Sequence, residues 1–106
     1  NAFQQDLVKQ GNSGKVVTMV FSEFGRRVAQ NGSNGTDHGT AAPLFVMGSR
    51  LKSTLTGTPP DLEVGRNQDL EFSTDFRSVY GTVIERWFGC PSAPILGRRY
   101  APLPFV

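Results

Sequence analysis

Glu23, Asp37 and His38 are the residues of this chain best suited to chemistry. One imidazole and two carboxylates can give three ligands to zinc, manganese or iron and leave a coordination position open. A divalent metal held this way would activate water or polarise a phosphoryl oxygen. Arg26 and Arg27 stand between them in sequence, and a guanidinium fork suits the oxyanion of a phosphate or sulfate. Each residue also has a plainer reading. Asp37-His38 closes a run of glycine, asparagine and small polar residues, where Asp often only accepts backbone N–H groups in a turn. Ser22-Glu23 has the form of a helix N-cap followed by a first-turn acid. Arg26 and Arg27 can be solvated or can pair with Glu23. Asn31-Gly32-Ser33 and Asn34-Gly35-Thr36 both fit the glycosylation pattern Asn-x-Ser/Thr, which is common by chance.

The surrounding elements decide whether these groups can meet. Residues 16–21, Val-Val-Thr-Met-Val-Phe, are β-rich without alternation, the pattern of a strand covered on both faces. Glu23 lies just past the C-terminal end of that strand, the edge at which ligands bind in open α/β sheets. A second strand is expected over residues 43–47, ended by Gly48. If the two strands are parallel neighbours, Asp37-His38 returns to the edge that carries Glu23. The chain becomes loop-like over residues 27–40, with almost no apolar side chain from 31 to 40, and residues 22–42 read as a functional loop rather than a packed crossover.

Helices are expected on either side. Phe3, Leu7 and Val8 share one face of a short helix over residues 2–10, with Gly11 as its left-handed stop. Residues 49–69 are irregular, and Leu70-Glu71-Phe72 is a short strand or an extended lead-in. Phe76, Val79, Tyr80, Val83, Ile84, Trp87 and Phe88 recur at helical spacing and make one wide apolar face. This predicts a helix over residues 73–88, packed on the sheet and burying Trp87. Ser73 or Thr74 would cap it, Asp75 favours its positive end, and Gly89 with Pro91 stops it. The aromatics read as packing. The proline-rich tail, residues 91–106, is expected to wrap the surface.

Composition narrows the function classes. Eleven Lys and Arg against nine Asp and Glu leave a net charge of +2 over 106 residues. The balance is too even, and the basic residues too scattered, to argue for a nucleic-acid partner. No apolar run is long enough to cross a bilayer. Cys90 is the single cysteine, which excludes an internal disulfide and a Cys-based zinc site. Before Pro91 it reads as an inert turn residue. Two strands and one long helix do not close an α/β layer. The chain opens at Asn1 with no signal-like segment, so upstream residues, or a second copy in a homo-oligomer, are expected to complete the sheet.

The run Phe21-Ser22-Glu23-Phe24-Gly25-Arg26-Arg27-Val28 is followed by Asn31-Gly32-Ser33 and Gly35-Thr36-Asp37-His38-Gly39-Thr40-Ala41. With Phe72-Ser73-Thr74-Asp75-Phe76-Arg77-Ser78-Val79-Tyr80 and Leu96-Gly97, these stretches resemble the C-terminal part of the bacterial domain of unknown function family 1501. The resemblance spans nearly all of the chain, as one segment from 1 to 106. It implies the sulfatase-like, alkaline phosphatase clan and a three-layer α/β/α sandwich. It implies metal-dependent cleavage or transfer of phosphate or sulfate esters, and a periplasmic or secreted location.

In the mutase branch of that clan, a strand ends in Thr-Ala-Asp-His-Gly, and a later His precedes a Pro-led strand. On that alignment Glu23 matches the ligand Asp, His38 matches the later ligand His, and Phe24 replaces a ligand His. A rival alignment equates Asp37-His38-Gly39 directly with Asp-His-Gly. Nothing here matches the clan's Thr, Ser or Cys nucleophile, which the resemblance places upstream. Two expectations follow. One is a segment of a metal-dependent ester hydrolase, incomplete by itself, with zinc or manganese on Glu23, Asp37 and His38. The other is a secreted binding or assembly protein that keeps the fold without catalysis, which Phe24 favours.

Overall fold

The computed structural model describes residues 1–52 and 55–106; residues 53 and 54 fall in the stretch expected to be irregular and lie outside the described part. Helices mix with strands, as expected of an α/β chain, and both sheets are small and antiparallel. The chain divides into two compact units, Asn1–Ser49 with Pro59–Ser73, and Arg50–Thr58 with Thr74–Val106.

The first unit opens with α1, Ala2–Lys9. Asp6 and Gln10 join one turn apart through a side-chain bond of 2.7 Å. Gly11, at φ +68°, ends the helix as expected, and the N–H groups of Gly11 and Asn12 return to the carbonyls of Val8 and Leu7. Of the predicted apolar face only Leu7 is buried; Phe3 and Val8 are exposed. After a 3₁₀ turn at Ser13–Lys15 come β1 (Thr18–Val20), β2 (Gly25–Gln30), β3 (Thr36–Gly39) and β4 (Phe45–Met47).

β1 and β4 are neighbours, but they run antiparallel, with Thr18 opposite Met47 and Val20 opposite Phe45. The expectation of a parallel pair is therefore corrected. The reason lies between them. Residues 27–40 are not a loop but part of a second hairpin, β2–β3. A hairpin turns the chain back on itself, so no crossover helix is needed. The β1–β4 pair thus brackets the β2–β3 hairpin. The expected two-sided burial of residues 16–21 is also corrected, since Val20 and Phe21 are exposed, as are Phe45 and Met47.

The second unit is built on α2, Phe76–Thr82, which passes into a π-helical turn at Val83–Trp87. Asp75 is its cap, in place of Ser73 or Thr74. Its carboxylate accepts the Arg77 N–H at 2.9 Å and receives the Arg77 guanidinium through both oxygens. The bonds from Arg77 hold the Asp75 carboxyl below its ordinary range. The π turn shows in the Phe88 N–H, which reaches back five residues to Val83. Widening the helix there shifts the residues that follow it off the line of Val79 and Val83. Val79 and Val83 stay buried, Phe76 and Phe88 are exposed, and Trp87 is half-buried with the Arg50 guanidinium 4.9 Å from its ring. The expected burial of Trp87 is corrected on that ground.

Two fully buried hydroxyls bind the C-terminal tail to this helix. Thr82 donates to the Ser78 carbonyl at 2.6 Å and accepts the Leu103 N–H at 2.8 Å. Ser92, at the start of α3 (Ala93–Leu96), donates to Glu85 at 2.7 Å. Arg99 grips the same carboxylate at 3.1 Å. Phe105 is buried, and its carbonyl accepts the Lys52 N–H.

Replacing Thr82 by Val keeps the volume but strands the Leu103 N–H. Urea denaturation should show a loss of about 1–3 kcal/mol; an unchanged midpoint would exclude the clamp. The Ser92 bond, then the Arg99 contacts, hold the Glu85 carboxyl below its ordinary range. A depressed folded-state pKa stabilises the fold above the unfolded value. That stability is lost as pH falls through the lower folded value. Melting temperature should therefore fall more steeply between about pH 5 and pH 3 in the parent than in Glu85→Gln. Parallel curves would remove Glu85 from the acid response.

Candidate functional site

All five predicted site residues lie on or beside the β2–β3 hairpin. Its geometry begins with two glycines. Gly25 and Gly39 are paired across the strands. A Cβ on Gly25 would lie 1.6 Å from the Ala41 carbonyl oxygen, and one on Gly39 would lie 2.9 Å from the Arg26 carbonyl carbon. The backbone leaving β3 therefore crosses Gly25 at a distance that no side chain permits.

Asn31 shapes the other end. Its Oδ1 accepts the N–H groups of Ser33 and Gly35 at 3.0 and 3.1 Å, and its Nδ2 donates to Asp37 at 2.9 Å. Asn34 takes the left-handed conformation at the tip, φ 60°. The Asn31 amide is thus engaged in the turn. Asp37 accepts from that amide, and it is Asn31 rather than Asp37 that takes the backbone N–H groups of the turn.

Between these ends the register shifts, because a step of four positions on β2, from Arg26 to Gln30, faces a step of two on β3, from His38 to Thr36. Arg26 faces His38 across the pair. The His38 ring lies on Phe24, centroids 3.6 Å apart and planes 16° apart. Arg26 lies 5.3 Å from the Phe24 ring centre and donates from Nη1 to the Thr36 carbonyl at 2.8 Å. Arg27, one residue on, pairs with Asp69 at 2.8 Å. The Asp69 bond and charge, with a further contribution from Asp37, strengthen the hold of Arg27 on its proton. The same bond holds the Asp69 carboxyl below its ordinary range. A shallow, open depression lined by Thr40, Asp69, Leu70, Glu71 and Phe72 adjoins this ion pair.

The expected convergence of Glu23, Asp37 and His38 is not found. Among the described residues no group of three His, Cys, Asp or Glu side chains is placed to hold a metal ion. Adjacent residues of a strand point to opposite faces, so Asp37 and His38 leave β3 in different directions. Glu23 is exposed and accepts from the Ser22 hydroxyl at 3.4 Å. Arg27 is taken up by Asp69 rather than by Glu23. Asp69 had no signal in the sequence, because 42 positions separate it from Arg27. The role of Asn31 had one, the Asn-Gly pair of a turn.

Residues 1–91 match the family described as Protein of unknown function (DUF1501). The chain belongs to this family. No curated protein and no solved structure matches the chain. The DUF1501 match takes in both sheets, α2 and every candidate residue named above, and ends before α3. Among the described residues no helix is long and apolar enough to cross a membrane.

Gly25→Ala should disrupt the hairpin, since the added methyl meets backbone rather than a side chain able to turn away. A loss of about 3 kcal/mol or more is expected from chemical denaturation. A loss below about 0.5 kcal/mol, the range of ordinary surface changes, would contradict the close approach.

Proposed function

We propose that this chain is part of an alkaline phosphatase-like three-layer α/β/α sandwich, and that the protein is a secreted or periplasmic binding or assembly protein without metal-dependent catalysis. The observation that carries this reading is the stack of Phe24 on His38. On the alignment that matches Glu23 to the ligand Asp, Phe24 takes the place of a ligand histidine, and a hydrocarbon ring donates no electron pair to a metal. The separation of Asp37 from His38 by strand alternation supports the same reading.

The assembly part rests on exposed apolar surface. Val20, Phe21, Phe45 and Met47 are all exposed in or beside a sheet of only two strands. An isolated pair of strands is marginal in water, and further strands would cover these residues. The rest of a longer chain or a second copy would supply them.

One observation favours the rival reading, a zinc- or manganese-dependent hydrolase of phosphate or sulfate esters. Glu23 and His38 are both exposed, so ligands from outside this chain could join them. Metal analysis and esterase assays separate the two. The full-length protein should purify without stoichiometric zinc or manganese and should show no metal-dependent hydrolysis of aryl phosphate or aryl sulfate. Stoichiometric metal that is lost in His38→Ala and Glu23→Ala, together with hydrolysis, would overturn the binding reading.

A further inference from the structure

We propose that Arg26 and His38 form a recognition pair for an oxyanion on one face of the β2–β3 hairpin, with Phe24 as their common support. The proposal deepens the binding reading by naming the ligand chemistry, a carboxylate, phosphate or sulfate group on an exposed ligand.

Three features carry it. The first is position. Arg26 and His38 are direct cross-strand partners, and both are exposed. Opposed side chains on one face of an antiparallel pair lie about 5 Å apart at Cβ. That spacing lets two donors meet one anionic group.

The second is preorganisation. The guanidinium is held by the Thr36 carbonyl and by the Phe24 ring. The imidazole is held flat against the same Phe24 ring. Guanidinium has five N–H donors, so one bond from Nη1 leaves a fork for a ligand. A neutral imidazole still offers one N–H, so the pair works without a second positive charge.

The third is charge. Among the described residues, Arg27, Arg77 and Arg99 are each matched by a carboxylate, from Asp69, Asp75 and Glu85. Arg26 has no such ion pair there. Arg27 is neutralised by Asp69, which leaves Arg26 as the cation of the β2–β3 hairpin without an ion pair, beside the His38 donor. A carboxylate or tetrahedral oxyanion fits a guanidinium fork through two oxygens, which an ammonium would not match.

The test is an NMR titration of the isotope-labelled full-length protein with sodium phosphate, sodium sulfate and sodium acetate, with sodium chloride holding ionic strength constant. Saturable shifts at the Arg26 side chain, the His38 ring and the Thr36 amide with at least one of the three anions are expected. The strongest of the three identifies the ligand group. Arg26→Gln should weaken binding about tenfold or more. Arg26→Lys should also weaken it, because charge is kept and the fork is lost. Arg66→Gln, an exposed charge change in the same unit, should stay within about twofold. An unchanged amide spectrum in the variants shows that the hairpin is intact. Absence of any saturable shift, or equal weakening by Arg26→Gln and Arg66→Gln, would overturn the proposal. Metal-dependent hydrolysis is read in a separate assay, so failure of the binding reading would be seen independently.

Discussion

The contact between the Ala41 carbonyl and the α-carbon of Gly25 sets the first unit. A side chain at position 25 would occupy the same space as that oxygen. With hydrogen there instead, the chain leaving β3 can cross β2 and return to β1 as its antiparallel neighbour. The pairing of Gly25 with Gly39 also fixes the register that brings Arg26 opposite His38. The face on which each functional side chain stands therefore follows from two residues that have no side chain. A slip by one position would exchange the faces.

A comparable constraint governs the second unit, with hydroxyls in place of glycines. Thr82 and Ser92 are completely buried, and each joins the helical segment to the C-terminal tail. A buried hydroxyl without partners is costly, so these residues are stable inside only while the tail stays in place. Glu85 adds charge to the same arrangement, between Ser92 and Arg99. The π turn at Val83–Trp87 lies between Thr82 and Ser92 in sequence, and Phe88, which follows it, is exposed.

The apolar residues left outside have a functional sense in the binding reading. Leu7, Val79, Val83 and Phe105 are the buried hydrophobic side chains among the described residues. Four bulky apolar residues around the β1–β4 pair remain exposed. In that reading further strands would join the sheet at its edges and a packed layer would cover its apolar face. The polar hairpin between β1 and β4 has the opposite character, carrying charge and donors on a backbone held at both ends.

Several features were legible in the sequence because their causes are local. The α1 stop at Gly11, the two apolar runs that became β1 and β4, and the helix led in by Asp75 follow from turn chemistry, propensity and spacing. The family resemblance also lay in contiguous motifs. Tertiary structure decided the rest. Apolarity does not distinguish a parallel from an antiparallel neighbour, so the direction of β4 depended on the hairpin closing between the strands. The glycine and asparagine of residues 27–40 looked like a loop because their role, close approach and turn capping, has no hydrophobic period. Asp69 came to Arg27 from 42 positions away. Asp37 and His38, adjacent in sequence, were parted by strand alternation, whereas Arg26 and His38, twelve positions apart, were brought together by pairing. Only folding determines which residues share a face, because a strand's neighbours lie across the sheet and not along the chain.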